Sequence, residues 1–301
     1  MASLKEVRIR IESIKSTQQI TSAMKLVAAS KLRRTQTAVQ ALAPYAAKLR
    51  EILGNLSSSL EDTDEAIYSK ARPVEKVLLV VLTSNRGLCG PFNGNVIKAV
   101  RQHIEQNFAE INRKGNLDLY TIGKKGTDFF KKNKFKVVNS NNAIFDALTF
   151  ANTTLIAEEL MKAYAAKTYD RIDIIYNHFK NAGQQVITTE QYLPISPVPA
   201  ENSKDGKVEA KSKQLPDYIF EPEKNVLVRE LIPRILKMQL YKAVLDSFAA
   251  EHGARMTAMS QATENAKELL KQLQLSYNKA RQAAITKELL EIVSGAEALK
   301  G

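Results

Sequence analysis

The chain has 301 residues, 44% hydrophobic and 25% charged, with a formal net charge of +12 and a pI near 9.5. This supports one substantial core plus an extended element, offers no run of 18 apolar residues for a membrane span, and favours acidic partners. The single Cys89 excludes an internal disulfide and argues against a zinc cluster, and His103, His178 and His252 have no ligand spacing, so reducing cytosol is the expected setting.

Apolar residues at Leu4, Val7, Ile11 and Ile14, and again at Val39, Leu42, Ala46, Leu49, Leu53 and Leu56, recur at spacings of three and four. The pattern predicts a coiled-coil helix within residues 1–57, running through Pro44 for about 80 Å at ~1.5 Å per residue. Between residues 15 and 38 the seam is small and polar (Gln18, Thr21, Ala28, Ala29, Ser30), which packs thinly. Residues 1–57 hold ten basic side chains against three acidic ones, and no carboxylate occurs from Ser13 through Arg50. Lys15, Lys25, Lys31, Arg33 and Arg34 therefore suit either a solvated face or an acidic protein surface. A nucleic-acid reading lacks interleaved aromatic residues and a docking motif. Lys5, Arg8 and Arg10 among apolar residues have the style of a mitochondrial presequence, but Glu6, Glu12 and a heptad that begins at Leu4 count against a removable leader.

Residues 73–200 predict an open α/β domain. Val77 to Leu82 is a continuous apolar run suited to a strand buried on both faces, followed by a glycine turn and a helix from about Asn93 to Gln106. Strands are expected at Leu117–Ile122, Phe135–Val138, Arg171–Asn177 and Gln185–Tyr192, with a short helix at Thr127–Lys132 and a long one at Ala143–Lys167. Alternation of strands and helices implies a mostly parallel sheet. Pro194, Pro197 and Pro199 close the domain, and residues 201–222 read as an exposed loop or hairpin.

Residues 223–301 carry the longer heptad run. A short helix over 223–231 is expected to precede a long one that starts near Pro233, where the missing N–H costs nothing. The seam runs Leu231, Ile235, Met238, Lys242, Leu245, Ala249, His252, Met256, Met259, Thr263, Ala266, Leu270, Leu273, Tyr277, Ala280 and Ala284, with Lys242, His252 and Thr263 as polar core positions. With a domain between them, the two long helices must return on each other antiparallel, and part of the C-terminal one should project past its partner.

Catalytic chemistry finds little purchase. The turn from Thr83 to Asn95 places Gly87, Gly90 and Gly94 at a helix N-terminus, but it lacks both the Gly-Lys-Ser/Thr of a phosphate loop and the GxGxxG of a dinucleotide site. The second turn, Gly123 to Gly126, has neither. Cys89 beside Arg86 has no neighbouring His or Asp to mark a nucleophile.

Four stretches carry a resemblance: Ile9 to Arg34 (IRIESIKSTQQITSAMKLVAASKLRR), Ser84 to Asn93 (SNRGLCGPFN), Glu251 to Ala266 (EHGARMTAMSQATENA) and Tyr277 to Leu299, whose Ile285, Thr286, Glu288, Glu291, Gly295 and Ala296 form the most specific motif. Across essentially the whole chain they resemble the gamma subunit of the rotary, F-type ATP synthases of bacteria. Departures lie mainly in the loop from Glu201 to Gln214, and the cysteine-bearing regulatory insertion of the chloroplast type is not present. The resemblance implies a long antiparallel two-helix coiled coil from the two termini plus a central open, Rossmann-like α/β domain.

It also implies a non-catalytic central shaft, without cofactor or metal. The implied partners are the alpha and beta subunits around the shaft, and the epsilon subunit, delta subunit and c-ring in the same complex. Membrane association would come through that complex alone, on the cytoplasmic side of the bacterial plasma membrane. Carried over residue by residue, Met24 with Lys15 and Lys25 would face an acidic part of beta, Arg281 and Gln282 a loop of one beta subunit, and Arg255 and Glu288 the interacting segments of the shaft helices. The alternatives from other classes are a basic coiled-coil nucleic-acid binder and a nucleotide-dependent α/β enzyme.

Overall fold

The computed structural model describes residues 4–56, 67–68, 72–195 and 224–298. The expected loop at 201–222 lies outside the described residues. In chain order the elements are α1 (Leu4–Leu56), β1 (Val77–Leu82), α2 (Phe92–Asn107), α3 (Ala109–Arg113), β2 (Leu117–Ile122), α4 (Lys124–Lys132), β3 (Val137–Ser140), α5 (Phe150–Ala165), β4 (Arg171–Asn181), β5 (Gln184–Leu193) and α6 (Lys224–Ala298). Two compact units result, Lys31–Ala254 and the pair Met1–Ser30 with Arg255–Gly301.

The larger unit is built on a five-stranded sheet of order β3-β2-β1-β4-β5, parallel except for the antiparallel β4–β5 pair. Every residue of β1 is buried, and strand alternation sorts them onto two faces. Leu78, Val80 and Leu82 join Tyr120, Ile122, Ile172, Ile174 and Tyr176 beneath α5 and α6. Val77, Leu79 and Val81 join Leu117, Leu119 and Ile175 beneath α2 and α4. Buried carboxylates are paired, as the cost of burying a lone charge requires. Asp173 lies 2.8 Å from Arg171 Nε and 3.0 Å from His103 Nε2, and Asp118 accepts from Tyr169 at 2.9 Å and meets Lys136 Nζ at 2.9 Å.

Several boundaries differ from expectation. The helix expected from Ala143 to Lys167 is a 3-10 turn, Ala143–Phe145, followed by α5, because the Thr149 hydroxyl accepts from Asn152 N and caps a new start. The helix expected at Thr127 begins at Lys124, the third strand is displaced to Val137–Ser140, and α3 was not foreseen. No separate helix precedes Pro233: α6 runs through it. The hydrogen bond lost there is offset by deep burial of Ile232, Leu236 and Leu240, each fully buried against the sheet.

The same burial corrects the single seam expected for α6. From Ile232 to Arg255 the helix buries residues on more than one face, including Ala243, Val244, Ala250 and Ala254, which lie off the heptad seam. Beyond Met259 the seam holds: Met259 and Ala266 are buried, and Thr263, Leu270, Leu273, Tyr277, Ala280 and Ala284 are half-buried between exposed neighbours.

Candidate partner-contact surface

All seven residues singled out from the sequence fall in the smaller unit, where the first part of α1 lies along the last part of α6. Two polar contacts set the register. The Thr21 and Thr263 hydroxyls lie 2.9 Å apart, and Lys25 Nζ donates to Ser260 Oγ at 3.0 Å. Residue numbers rise on one helix as they fall on the other, so the pair is antiparallel. Each threonine hydroxyl also reaches a carbonyl of its own helix, Gln18 O for Thr21 and Met259 O for Thr263.

Thr21 and Thr263 stand where the sequence marked polar core positions, and they answer each other. Replacing Thr263 alone by valine takes away the cross-helix partner of the Thr21 hydroxyl, which keeps only Gln18 O, and is expected to cost about 0.5–1 kcal/mol, whereas the double change Thr21→Val/Thr263→Val removes both partners and should be near neutral. A thermal-unfolding double-mutant cycle measures the difference; additive single effects would mean the rung carries no coupling.

In this register Leu4 lies opposite the neighbourhood of Ala280. From Ile285 to Glu297 every residue of α6 is exposed. This stretch nevertheless carries Ile285, Leu289, Leu290, Ile292 and Val293, exposed by 50–67%. The α6 end thus extends past the start of α1 with apolar residues on its surface.

Met24 is half-buried on the seam, Lys15 and Lys25 are exposed, and Arg255 is buried at 8% exposure. Arg281, Gln282 and Glu288 are exposed, on the stretch of α6 near and beyond the start of α1. They do not converge. Between Arg255 and Arg281 α6 rises about 39 Å, at ~1.5 Å per residue. Such a distribution makes a contact surface along a helix pair and not a cleft. Its exposed cations and amides can hold carboxylates or carbonyls, with the Arg281 guanidinium able to take two acceptors at once.

The glycine turns of the larger unit are already filled by the protein. At the start of α4, Lys124 N donates to Asn85 Oδ1 at 3.0 Å, Lys125 N to Ser84 O at 3.0 Å and Gly126 N to Thr83 Oγ1 at 2.9 Å. These are the amides that would have to face an anion at a helix N-terminus. At the start of α2, Asn93 folds back on Ser84, and Cys89 is buried at 1% exposure with Asn93 Nδ2 3.2 Å from its sulfur. Gly90, at φ 58°, serves the turn itself.

A family model described as ATP synthase matches residues 3–299. The ATP synthase gamma chain of Flavobacterium johnsoniae is 54% identical over 301 residues, covering 100% of both chains, and that of Cytophaga hutchinsonii is 50% identical over 99% of each. This chain belongs to the ATP synthase gamma-chain family. The gamma-chain fold is also seen in a chain of the cryo-EM structure of the Euglena gracilis mitochondrial ATP synthase, OSCP/F1/c-ring, rotational state 3. That likeness has a TM-score of 0.66 at 21% identity, covering 98% of this chain and 94% of the other.

Proposed function

We propose that this gamma chain transmits torque without binding or cleaving nucleotide itself. It is the central rotor subunit of an ATP synthase, coupling ion flow to ATP synthesis. The alpha and beta subunits surround its helix pair, with catalysis on those partners, while the c-ring, epsilon and delta complete the assembly. It sits peripherally on the cytoplasmic side of the bacterial plasma membrane and is held there by the complex; among the described residues no helix is long and apolar enough to cross a membrane.

The observation that carries this reading is the end of α6. A helix exposed on every side from Ile285 to Glu297, yet bearing five large apolar residues, calls for an enclosing apolar sleeve. Two antiparallel helices of unequal reach have no threefold symmetry, so three identical subunits around them each meet a different side. That imposes three conformations at once. Exposed ion pairs of ~0–1 kcal/mol suit a surface that must leave each contact as it turns, and the carboxylate-free stretch from Ser13 to Arg50 supplies the cations.

Purification of the tagged chain from detergent-solubilised membranes should bring alpha, beta, epsilon, delta and c with it. Calorimetry of the free chain with Mg-ATP should detect no site tighter than ~1 mM, about −4 kcal/mol. A micromolar site, or a chain that elutes alone, would overturn the assignment.

A further inference from the structure

The larger unit holds α6 in two different ways. From Ile232 to Val244 the grip is apolar, made by α6 side chains against the sheet and α5. Further along, α6 presents Asp246, Ala250, Gly253 and Ala254 on one helical face, at spacings of three and four. The far end of β4 lies on that face, beyond Ile175, where its pairing with β1 stops and only β5 accompanies it.

Three contacts join them. His178 Nδ1 is 2.9 Å from Asp246 Oδ2, with the Asp246 side chain 3% exposed. Phe179 packs with Ala250 and Ala254, together with Cys89 and Phe92 from the first glycine turn. A Cβ added at Gly253 would come within 3.1 Å of Phe179 Cε2 and 3.4 Å of the Ala182 backbone, so the hairpin is seated against the helix where a side chain is missing. Lys242 on α6 and Glu190 on β5 also face the Asp246 carboxyl.

Apolar burial is non-directional and resists separation more than it resists turning or sliding. A buried carboxylate is a costly way to gain stability, but its hydrogen bond is directional. We propose that the β4–β5 hairpin is a latch fixing the angular position of α6 in the α/β unit, with His178 and Asp246 as positioning residues and Gly253 as the seat. Torque delivered to the unit then passes into α6 without slip. The latch rests on the rotor reading.

The test uses the assembled complex in sealed vesicles, with ATP cleavage and ATP-driven ion pumping measured together. Asp246→Ala should leave the ATPase rate largely unchanged and lower ions pumped per ATP by about threefold, the scale of one lost hydrogen bond. Asp246→Asn is the conservative variant: its amide oxygen can still accept from His178 while the charge is removed. Asp246→Asn should keep pumping per ATP close to that of the unsubstituted complex, because the directional bond is retained.

Unchanged pumping per ATP in Asp246→Ala would overturn the latch. So would a loss in Asp246→Asn as large as that in Asp246→Ala, since the retained hydrogen bond would then fix nothing. If yield and ATPase fall together with pumping in Asp246→Ala, Asp246 is structural only and the positioning role is wrong. Failure of the rotor reading is separate: the unsubstituted chain would not co-purify with the other subunits.

Discussion

Replacing Gly123 by alanine should destabilise the α/β unit by about 3–5 kcal/mol, combining a backbone conformation that L residues rarely adopt with overpacking. Gly123 has φ 114°, and an added Cβ would lie 2.1 Å from the Thr83 carbonyl oxygen and 2.7 Å from Thr83 Oγ1. Neither neighbour can yield. Thr83 N donates to Ile122 O at 2.8 Å, and Thr83 Oγ1 accepts from Gly126 N at 2.9 Å, so moving Thr83 uncouples the end of β1 from the start of α4. Whole-domain stabilities run to about 5–15 kcal/mol, so the loss is a large share. Urea unfolding followed by tyrosine fluorescence measures it, with Gly94→Ala as control. Gly94 lies in α2 with nothing within 4 Å of its added Cβ, and that change should be neutral or stabilise by up to about 1 kcal/mol. Equal midpoints for the two variants would refute the steric account.

Met24→Lys should separate ATP cleavage from ion pumping. Met24 is half-buried on the α1 seam, one residue before the lysine that reaches Ser260. A lysine there can lay its stem along the seam and carry the ammonium outward, onto a face with no carboxylate of its own from Ser13 to Arg50. If an acidic surface of beta encloses this face, as the resemblance implies, the new ion pair gains about 1.5 kcal/mol or more, and a contact that must break at each step is then held roughly tenfold longer. The ATPase rate should largely survive because no reacting group changes, while pumping per ATP falls severalfold. If Arg281 meets a loop of one beta subunit, as the resemblance implies, Arg281→Ala should instead weaken both activities by loosening that contact. Vesicles in which Met24→Lys pumps in proportion to its ATPase would reduce Met24 to seam packing.

How much of this was legible in the sequence depends on whether the deciding force is local. Val77–Leu82 is readable because six consecutive apolar residues have few other destinations, and the seam past Met259 because only one face of the helix is covered. Ile232, Leu236 and Leu240 were unreadable as a second buried face, since the sheet that covers them lies far away in sequence. Pro233 misled for the same reason: local propensity favours a break, and tertiary burial overrides it. The start of α5 was locally encoded in Thr149, whose capping role the apolar periodicity on either side obscured. On the helix seam, polar positions such as Thr21 and Thr263 announced themselves individually, but their pairing required the register. His178 and Asp246 gave no signal, because neither spacing nor motif links a strand residue to a helix residue across so long a stretch of chain.

The cover that α6 provides has a consequence for synthesis. All five strands and α5 are complete by Leu193, yet the cluster that Leu78, Val80, Ile172, Ile174 and Tyr176 share with α5 still lacks Ile232, Leu236, Leu240 and Val244. At ~5–20 residues per second, translation from residue 196 to 254 takes about 3–12 s. During that interval the nascent sheet offers a partly uncovered apolar surface at the ribosome, so chaperone occupancy should peak there and decline once Ala254 has emerged from the exit tunnel.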